Sequence, residues 1–476
     1  MTVVAIRPEE AARVRLSPVE RLELLFDRGS LQRVRSGVRS RRLGAKAREG
    51  DGAVGATGLV GGRPVAAYAQ DASFAGGSVG EAHADTIAGV LRLADRARVP
   101  VVGFVESGGA RMQEGLAALA GYGRIFRANV ALTRRVPQIS IVAGVSAGGG
   151  CYSPALTDFV VMTEDAHMFL TGPRVVRDVI GEDASAADLG GRRVHERNGV
   201  CQFVVESDVA AAGLARELLA YLPQSVGAAA PPEPPAPAAP GDPGDVLPPA
   251  ARQAYDVRQV IERVVDRGRL LEFAPKWARN MVTGFARLDG RAVGVIANQA
   301  GYLGGLLDVD ASQKGALFVR TCNRFGLPLV VLVDTPGFMP GRKQEKAGVI
   351  RHGATLVDAF AGATVPSVTV VLRKAYGGGY IAMNSHSLGA DLTFAWPGAT
   401  IGIMGAAQAV AIAHRRELEE AVDPESLRRR LTAAYVEQHL SARVAAHEGV
   451  IDEVIAPGET RGRLCSALAT IGGTHA

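Results

Sequence analysis

The amino-acid sequence contains an internal duplication, and this feature constrains the fold more than any other. Four landmarks in the first half recur in the second half at one distance of 228 residues (290 − 62, and likewise for the others). The pairs are Gly62 and Gly290, Gly76 and Gly304, Pro100 and Pro328, and Gly109 and Gly337. One offset shared by four landmarks predicts two domains of the same fold.

A longer match follows in each half. VPQISIVAGVSAGGGCY answers VPSVTVVLRKAYGGGY, and the terminal residues Tyr152 and Tyr380 again lie 228 apart. Upstream, Gly29 and Gly268 are 239 apart, so the first half has 11 additional residues (239 − 228). These residues fall in a basic arm, residues 33–50, which could meet the phosphates of a ligand or form a solvated loop.

A stretch rich in proline, alanine and glycine separates the two halves. Residues 227–250 cannot bury a core and favour extended, polyproline-like backbone. We therefore predict an N-terminal domain at residues 1–226, a linker at residues 227–250 and a C-terminal domain at residues 251–476.

Local patterns indicate the type of each element. Ser17, Pro18 and Glu20 predict the start of a helix with a capping box, and Gly29 predicts its end. Short apolar runs such as VVGFV and LVVLV, separated by a helical pattern, are typical of parallel strands buried on both faces. Each half therefore reads as an α/β domain.

Composition excludes several classes of function. The formal charge of +5 suits an anionic ligand but not a nucleic-acid-binding face. The four cysteines are too scattered for a disulfide framework or a metal site, which favours a cytoplasmic protein without a metal. No apolar run reaches the ~20 residues of a membrane-spanning helix, and the N-terminus does not resemble a signal peptide.

The duplicated glycine clusters carry the chemistry that the sequence predicts. Glycines that end a strand and begin a helix leave backbone N–H groups accessible, since no Cβ blocks them. A pair of such groups can form an oxyanion hole. A single cluster is more often only a tight turn, but this one occurs twice, each time with a second glycine turn, ESGGARMQEG or DTPGFMPG.

Seven ordered motifs relate the chain to a known family. They are QDASFAGGSVGE, SGGARMQEG, AGGGCYSPALTDF, HMFLTGP, PGFMPG, RKAYGGGY and LGADLTFAWP. With them, the sequence resembles the carboxyltransferase (beta) subunits of biotin-dependent acyl-CoA carboxylases of the propionyl-CoA and acetyl-CoA type. The resemblance implies two tandem crotonase-like domains, and the duplication supports this independently.

The resemblance also implies site residues and a reaction. A carboxyl group passes from carboxybiotin to the α-carbon of an acyl-CoA, so a thioester enolate and a biotin ureido oxygen need stabilising. By position, Gly148 and Gly149 match the amides on the acyl-CoA side, and Gly378 and Gly379 match those on the biotin side. The neighbouring substrate-binding positions are Gly108, Gly109, Tyr152, Pro336, Gly337, Tyr380 and Ile381.

No side chain stands out as the general base. His167, His195, His352 and His386 are isolated, and Glu106 and Asp334 are duplicated strand-end carboxylates that we interpret as capping groups. The resemblance assigns the proton transfer to biotin itself. The sequence has no Met-Lys pair, so biotin is expected on a partner carrier protein, with a biotin carboxylase to load it.

The resemblance further implies a homo-oligomer, a hexamer whose active sites form between the first half of one subunit and the second half of its neighbour. Two alternatives stay open: a carboxyltransferase subunit of a biotin-dependent decarboxylase, and a non-catalytic acyl-CoA-binding scaffold. Propionyl-CoA-dedicated relatives commonly have Asp and Ala where this chain has Ile381 and Gly379. We therefore expect acetyl-CoA or longer acyl-CoAs to be accepted, giving a malonyl-type precursor for fatty acids or polyketides.

Overall fold

The computed structural model of the protein describes residues 16–250 and 253–472, and these divide into two compact units. The first unit comprises residues 16–195 and 203–220, and the second comprises residues 196–202 and 221–472. Residues 227–250 thus belong to the second unit, and the domain boundaries inferred from the sequence stay a prediction.

The first unit is built on one mixed sheet. Its strands are β1 (Gln32–Val34), β2 (Ala53–Val60), β3 (Arg63–Gln70), β4 (Val101–Ser107), β5 (Gln138–Ala147), β6 (Phe159–Thr163), β7 (His167–Phe169) and β8 (Phe203–Val205). Its helices are α1 (Pro18–Leu25), α2 (Glu81–Ala97), α3 (Leu116–Leu132), α4 (Gly149–Ala155), α5 (Pro173–Ile180) and α6 (Ala186–Gly190). Helices α7 (Arg192–Asn198) and α8 (Asp208–Tyr221) each end in residues of the second unit.

The second unit repeats this plan. Its strands are β9 (Leu271–Glu272), β10 (Met281–Leu288), β11 (Arg291–Asn298), β12 (Leu329–Thr335), β13 (Ser367–Tyr376), β14 (Leu392–Ala395), β15 (Thr400–Gly402) and β16 (Glu453–Val454). Its helices are α9 (Val257–Glu262), α10 (Val309–Arg324), α11 (Arg342–Lys346), α12 (Val349–Ala361), α13 (Gly377–Ala382), α14 (Ala406–Ala413), α15 (Arg415–Glu420), α16 (Pro424–Tyr435), α17 (Ala442–His447) and α18 (Thr460–Gly472).

The two sheets have the same topology. The strand order is β1-β2-β3-β4-β5-β6-β8 in the first and β9-β10-β11-β12-β13-β14-β16 in the second, with β7 beside β5 and β15 beside β13. The first three strands of each sheet are antiparallel and the rest are parallel. Apolar side chains of α2 pack against the first sheet, among them Ile87, Val90 and Leu91. The predicted pair of α/β domains is confirmed.

Local signals placed the start of the first helix better than its end. Ser17 accepts from the Glu20 backbone and the Glu20 carboxylate accepts from Ser17 N, which confirms the capping box. The helix ends at Leu25, four residues before Gly29, because the chain leaves in an extended conformation at the buried Phe26. Asp27 then accepts hydrogen bonds from the backbone of Gly61 and Gly62 and holds the chain at the β2–β3 turn.

Most of the proline-rich segment has no regular secondary structure, with a short 3₁₀ helix at Pro243–Val246, and the segment is not a free tether. Glu233 N donates to Gly290 O at 3.0 Å, and Ala239 N donates to Glu262 O at 3.0 Å. The Arg461 guanidinium donates to Ala236 O at 2.8 Å. These bonds hold the segment against the rest of the second unit and satisfy several of its carbonyl and amide groups.

Among the described residues, no helix has both the length and the apolar character needed to cross a membrane.

Candidate active site

The first glycine turn follows β4. Gly109 has φ +94°, its N–H donates to Ser107 Oγ at 3.2 Å, and its carbonyl accepts from Val79 N at 2.8 Å. Ser107 Oγ is also 2.9 Å from the hydroxyl of Tyr122, whose pKa burial raises to about 12. The turn is thus fixed by its own backbone bonds and by a tyrosine that stays neutral. Gly108 beside it is exposed.

The first glycine cluster joins β5 to α4. Gly148 has φ +57° and ψ −126°, a conformation that strongly favours glycine, and its N–H donates to Phe169 O at 3.0 Å. The next two amides differ from it. Among the described residues, none accepts a hydrogen bond from the N–H of Gly149 or of Gly150. Two adjacent N–H groups at a helix start are therefore available to an anion.

The second half repeats this arrangement. Gly337 has φ +122°, and its N–H donates to Thr335 Oγ1 at 3.2 Å. Gly377 has φ +55° at the start of α13, and within the described chain the N–H groups of Gly378 and Gly379 have no acceptor. A Cβ built on Gly379 would lie 2.7 Å from Gly337 Cα, so turn and cluster are in direct contact. Pro336 is half-buried in that turn.

The structure shifts the equivalence of the two clusters by one residue. Strands β4 and β12 keep the offset of 228, but β5 and β13 pair with them at an offset of 229, as in Val105–Val142 and Val333–Val371. The glycines of positive φ, Gly148 and Gly377, also differ by 229.

Burial supports this shift. The equivalent of Tyr152 is Ile381, not Tyr380, and these two side chains are 51% and 46% exposed. Tyr380 is only 9% exposed, and its hydroxyl donates to Val450 O at 3.1 Å. Its equivalent in the first unit is Cys151, which is also buried. The repeated residues Tyr152 and Tyr380 suggest an offset of 228. Backbone conformation decides which residues are equivalent, and it gives an offset of 229.

A cavity of about 720 Å³ opens beside the first glycine turn. Gly108, Ala110 and Met112 line it together with Lys46 and Arg48 of the basic arm. Among the described residues, neither cation forms an ion pair; the Arg48 guanidinium lies 5.5 Å from the centre of the Phe74 ring. The cavity therefore offers two uncompensated positive charges close to the turn.

Sequence reasoning missed a buried charge cluster around Arg111, which is one of the residues that line this cavity. Arg111 is 1% exposed and its guanidinium lies 2.7 Å from Asp51 Oδ1 and 3.0 Å from Glu114 Oε1. Burial raises the pKa of Asp51, and the Arg111 charge opposes that shift. The same guanidinium donates to Ser78 O, so it ties the loop after Gly109 to the start of α2. The motif SGGARMQEG contained the arginine and glutamate, but their partner Asp51 lies 60 residues upstream.

The histidines named above lie outside the glycine clusters. His195 Nε2 is 2.6 Å from Met168 O, and His386 Nδ1 is 3.5 Å from Asp452 Oδ2. Glu106 and Asp334 are buried in ion pairs with Arg21 and Arg373. Within residues 16–250 and 253–472, no group of three or more His, Cys, Asp or Glu could hold a metal ion.

Comparison with known proteins identifies the family. The carboxyl transferase domain family matches residues 9–473. The chain belongs to this family. It is 44% identical to the propionyl-CoA carboxylase beta chain of Saccharopolyspora erythraea, with 94% of this chain and 86% of the relative covered. It is 41% identical to methylmalonyl-CoA decarboxylase subunit alpha of Propionigenium modestum, with 95% and 90% covered.

A solved structure of the transcarboxylase 12S hexamer, with methylmalonyl-coenzyme A and methylmalonic acid bound, is also similar. It superposes with a TM-score of 0.92 at 44% identity, over 96% of this chain and 90% of that chain. The crotonase-like fold expected from the resemblance is thereby confirmed. This carboxyl transferase is a biotin-dependent enzyme subunit of the acyl-CoA carboxylase and transcarboxylase family.

Proposed function

We propose that this chain transfers the carboxyl group from carboxybiotin, held on a separate carrier protein, to the α-carbon of a short- or medium-chain acyl-CoA. One observation carries the proposal: each unit presents, at equivalent positions, two adjacent backbone N–H groups for which the described part of the chain offers no acceptor. The reaction develops negative charge on two oxygens, one in each substrate. Preorganised N–H groups stabilise such charge without reorganising.

On the acyl-CoA side, we assign the donors to the cluster that begins at Gly148. The N–H of Gly148 is already bonded to Phe169 O, so Gly149 and Gly150 are the better pair for the thioester oxygen. Gly148 then contributes the turn that aims them, together with Gly108, Gly109 and the exposed ring of Tyr152. The cavity with Lys46 and Arg48 supports a CoA phosphate site here, because phosphates favour uncompensated cations.

On the biotin side, we assign Gly378 and Gly379 as donors to the ureido oxygen. Bound there, carboxybiotin would supply the carboxyl group by cleavage of its N–carboxyl bond, and its freed ureido group would supply the base for the α-proton of the acyl-CoA as the new C–C bond forms. Tyr380 and Ile381 follow these donors directly in the chain, and Gly337, next to Pro336, contacts Gly379.

The partners follow from this assignment. The chain needs a biotin carboxyl carrier and a biotin carboxylase, and we propose a hexamer in which acyl-CoA-side and biotin-side residues of neighbouring subunits form each active site. The transcarboxylase 12S relative assembles as a hexamer. A decarboxylase subunit is the second candidate, because a relative of that name is 41% identical over nearly the whole chain.

An assay of the purified chain tests the class. We expect label from a carboxylated biotin carrier to appear in the dicarboxylic product of at least one acyl-CoA among acetyl-, propionyl-, butyryl- and longer thioesters. Faster transfer from the carboxylated product back to the carrier would favour the decarboxylase direction. Acyl-CoA binding without transfer in either direction would contradict both enzymatic functions. A non-catalytic acyl-CoA-binding scaffold would then be the remaining function.

The side chain of Ile381 supports the expectation that this chain accepts acetyl-CoA or acyl-CoAs longer than propionyl-CoA. This side chain is half exposed beside the biotin-side donors and offers apolar surface, worth about 25 cal/mol per Å² buried, to an acyl chain. A Cβ at Gly379 would clash with Gly337, so the turn is built around glycine where propionyl-CoA-dedicated relatives commonly have Ala. Longer or differently shaped acyl groups should be accepted.

We expect Ile381→Asp to narrow the preference toward propionyl-CoA by about tenfold, since one methylene discriminates by about 1 to 3 kcal/mol. Relative kcat/KM values across the acyl-CoA series measure this. Val422→Asp, a fully exposed apolar position in the same unit, is the control and should leave the series unchanged. An unchanged series in Ile381→Asp would contradict the role.

A further inference from the structure

Both glycine clusters follow a bulge in the strand that leads to them. Between the pairs Val333–Val371 and Thr335–Ala375, β13 has two more residues than β12. Strand β5 has the same excess over β4 in the first unit. A bulge re-aims the chain beyond it, so it decides where the next residues point.

A buried carboxylate holds the bulge of β13. Asp334 is fully buried, and its Oδ1 accepts from the backbone N–H of Lys374 at 3.2 Å. Its Oδ2 accepts from Arg373 Nε at 3.0 Å. Both donors lie inside the bulge, and Gly378 follows four residues after Lys374. Asp334 is itself fixed, because its N–H donates to Asn298 Oδ1 at 3.2 Å.

The bulge is held from its other side as well. Arg373 Nη1 donates to Gln253 O at 2.8 Å, and its guanidinium lies 4.9 Å from the centre of the Tyr255 ring. Thr400 Oγ1 donates to Arg373 O at 3.3 Å and is 2.7 Å from the hydroxyl of Tyr376, the last residue of β13. The strand end before Gly377 is thus bonded at three residues.

The first unit reaches the same result with different residues. Glu106 is equivalent to Asp334, and its N–H donates to Gln70 Oε1 at 3.0 Å. Its carboxylate pairs with Arg21 of α1, and that guanidinium donates to Ala143 O in the bulge of β5. A carboxylate–arginine pair therefore ties the bulge in both units, although the arginine comes from a different element in each.

Stability alone does not explain these pairs, because apolar residues of similar volume often stabilise a core as well as a buried ion pair does. Resting on the proposed function, we propose that Asp334 is a positioning residue for carboxyl transfer. Its carboxylate holds the bulge of β13 so that the N–H groups of Gly378 and Gly379 point at the ureido oxygen.

The test compares two buried aspartates of the second unit in the full-length protein. Asp334→Asn keeps the size of the side chain but removes its charge. Asp266→Asn is the matched control, because Asp266 also accepts backbone N–H groups, from Asp289 and Gly290, and pairs with Arg461. The readouts are the melting temperature, kcat, and KM for the acyl-CoA.

We expect both variants to lower the melting temperature. Only Asp334→Asn should lower kcat, by about 10- to 100-fold, and its KM for the acyl-CoA should stay within about twofold of the wild-type value. Thr400→Val is a milder second variant and should lower kcat by about threefold or more. Equal kcat values in Asp334→Asn and Asp266→Asn would overturn the proposal. If Asp334→Asn does not fold, an unchanged kcat in Thr400→Val would overturn it instead. Wild-type protein inactive with every acyl-CoA would overturn the proposed function itself.

Discussion

Gly149 and Gly378 are equivalent residues with different surroundings. A Cβ on Gly149 would lie 3.0 Å from the Tyr122 ring, whereas one on Gly378 would have its nearest neighbour, the Phe338 ring, at 3.7 Å. A Cβ on Gly379 would meet the Gly337 backbone. Gly379→Val therefore disturbs the neighbouring turn as well as the donor, and Gly378→Val is the cleaner test of the biotin side.

We expect Gly149→Val and Gly378→Val each to reduce kcat at least about 100-fold, because a branched side chain at Gly378 fills open space beside the donors and one at Gly149 must displace the Tyr122 ring next to them. Gly213→Val and Gly462→Val are controls in the same units, at positions where a Cβ meets nothing within 4 Å. Steady-state transfer from the carboxylated carrier is the measurement. Turnover near wild type in either cluster variant would contradict its assignment.

A buried lysine provides a second test at single-residue scale. Lys314 of α10 is fully buried, and its Nζ donates to Trp277 O at 2.9 Å and to Met281 O at 2.7 Å. Two acceptors match the two N–H groups of a neutral amine. Burial lowers the pKa of Lys314 to about 7.

Between the unfolded pKa near 10.5 and the folded pKa, the unfolded chain binds a proton that the folded chain does not. The contribution of Lys314 to stability therefore falls as the pH falls through this window. As the pH is lowered from about 9.5 to about 7, we expect the unfolding free energy of Lys314→Met to rise by about 1 to 3 kcal/mol relative to that of wild type. Denaturant titrations at both pH values measure this, with the exposed Lys343→Met as control. A difference that does not vary with pH would refute it.

At the scale of elements, the proline-rich segment contributes to the second unit. Its backbone bonds to Gly290, Glu262 and Arg461 are each worth about 1 kcal/mol net, whereas the cost of closing a loop varies slowly with its length. The segment therefore affects the stability of the second unit through its contacts and not through its length.

We expect replacing residues 231–239 by a Gly/Ser sequence of equal length to destabilise the second unit by about 2 to 4 kcal/mol, because the new backbone loses more entropy on ordering than the prolines do and the ion pair between Glu233 and Arg287 is lost. Calorimetry and limited proteolysis measure this. The same replacement at residues 227–229 is the control, because within the described residues the backbone there forms just a local turn bond from Ala228 N to Ser225 O. An unchanged transition would show that the segment is only a tether.

At the scale of the whole molecule, the proposed hexamer predicts complementation between variants. If each active site joins the first half of one subunit to the second half of another, Gly149→Val and Gly378→Val subunits together can form intact sites. Random assembly of equal amounts would restore about a quarter of wild-type activity. Co-expression with two affinity tags measures it, and pairs defective on the same side should stay inactive. No recovery in a mixed oligomer would place both halves of each site on one subunit.

The sequence by itself determined the duplication, the α/β class, the parallel crossovers and the glycine clusters. These features depend on hydrophobic period and on local backbone preference, which neighbouring residues encode. Only the tertiary structure decided that Gly148 is bonded to Phe169, that Tyr152 corresponds to Ile381, and that residues 231–239 pack on the second unit. Each of these depends on partners distant in sequence, and hydrogen bonds between distant residues leave no periodic pattern in the chain.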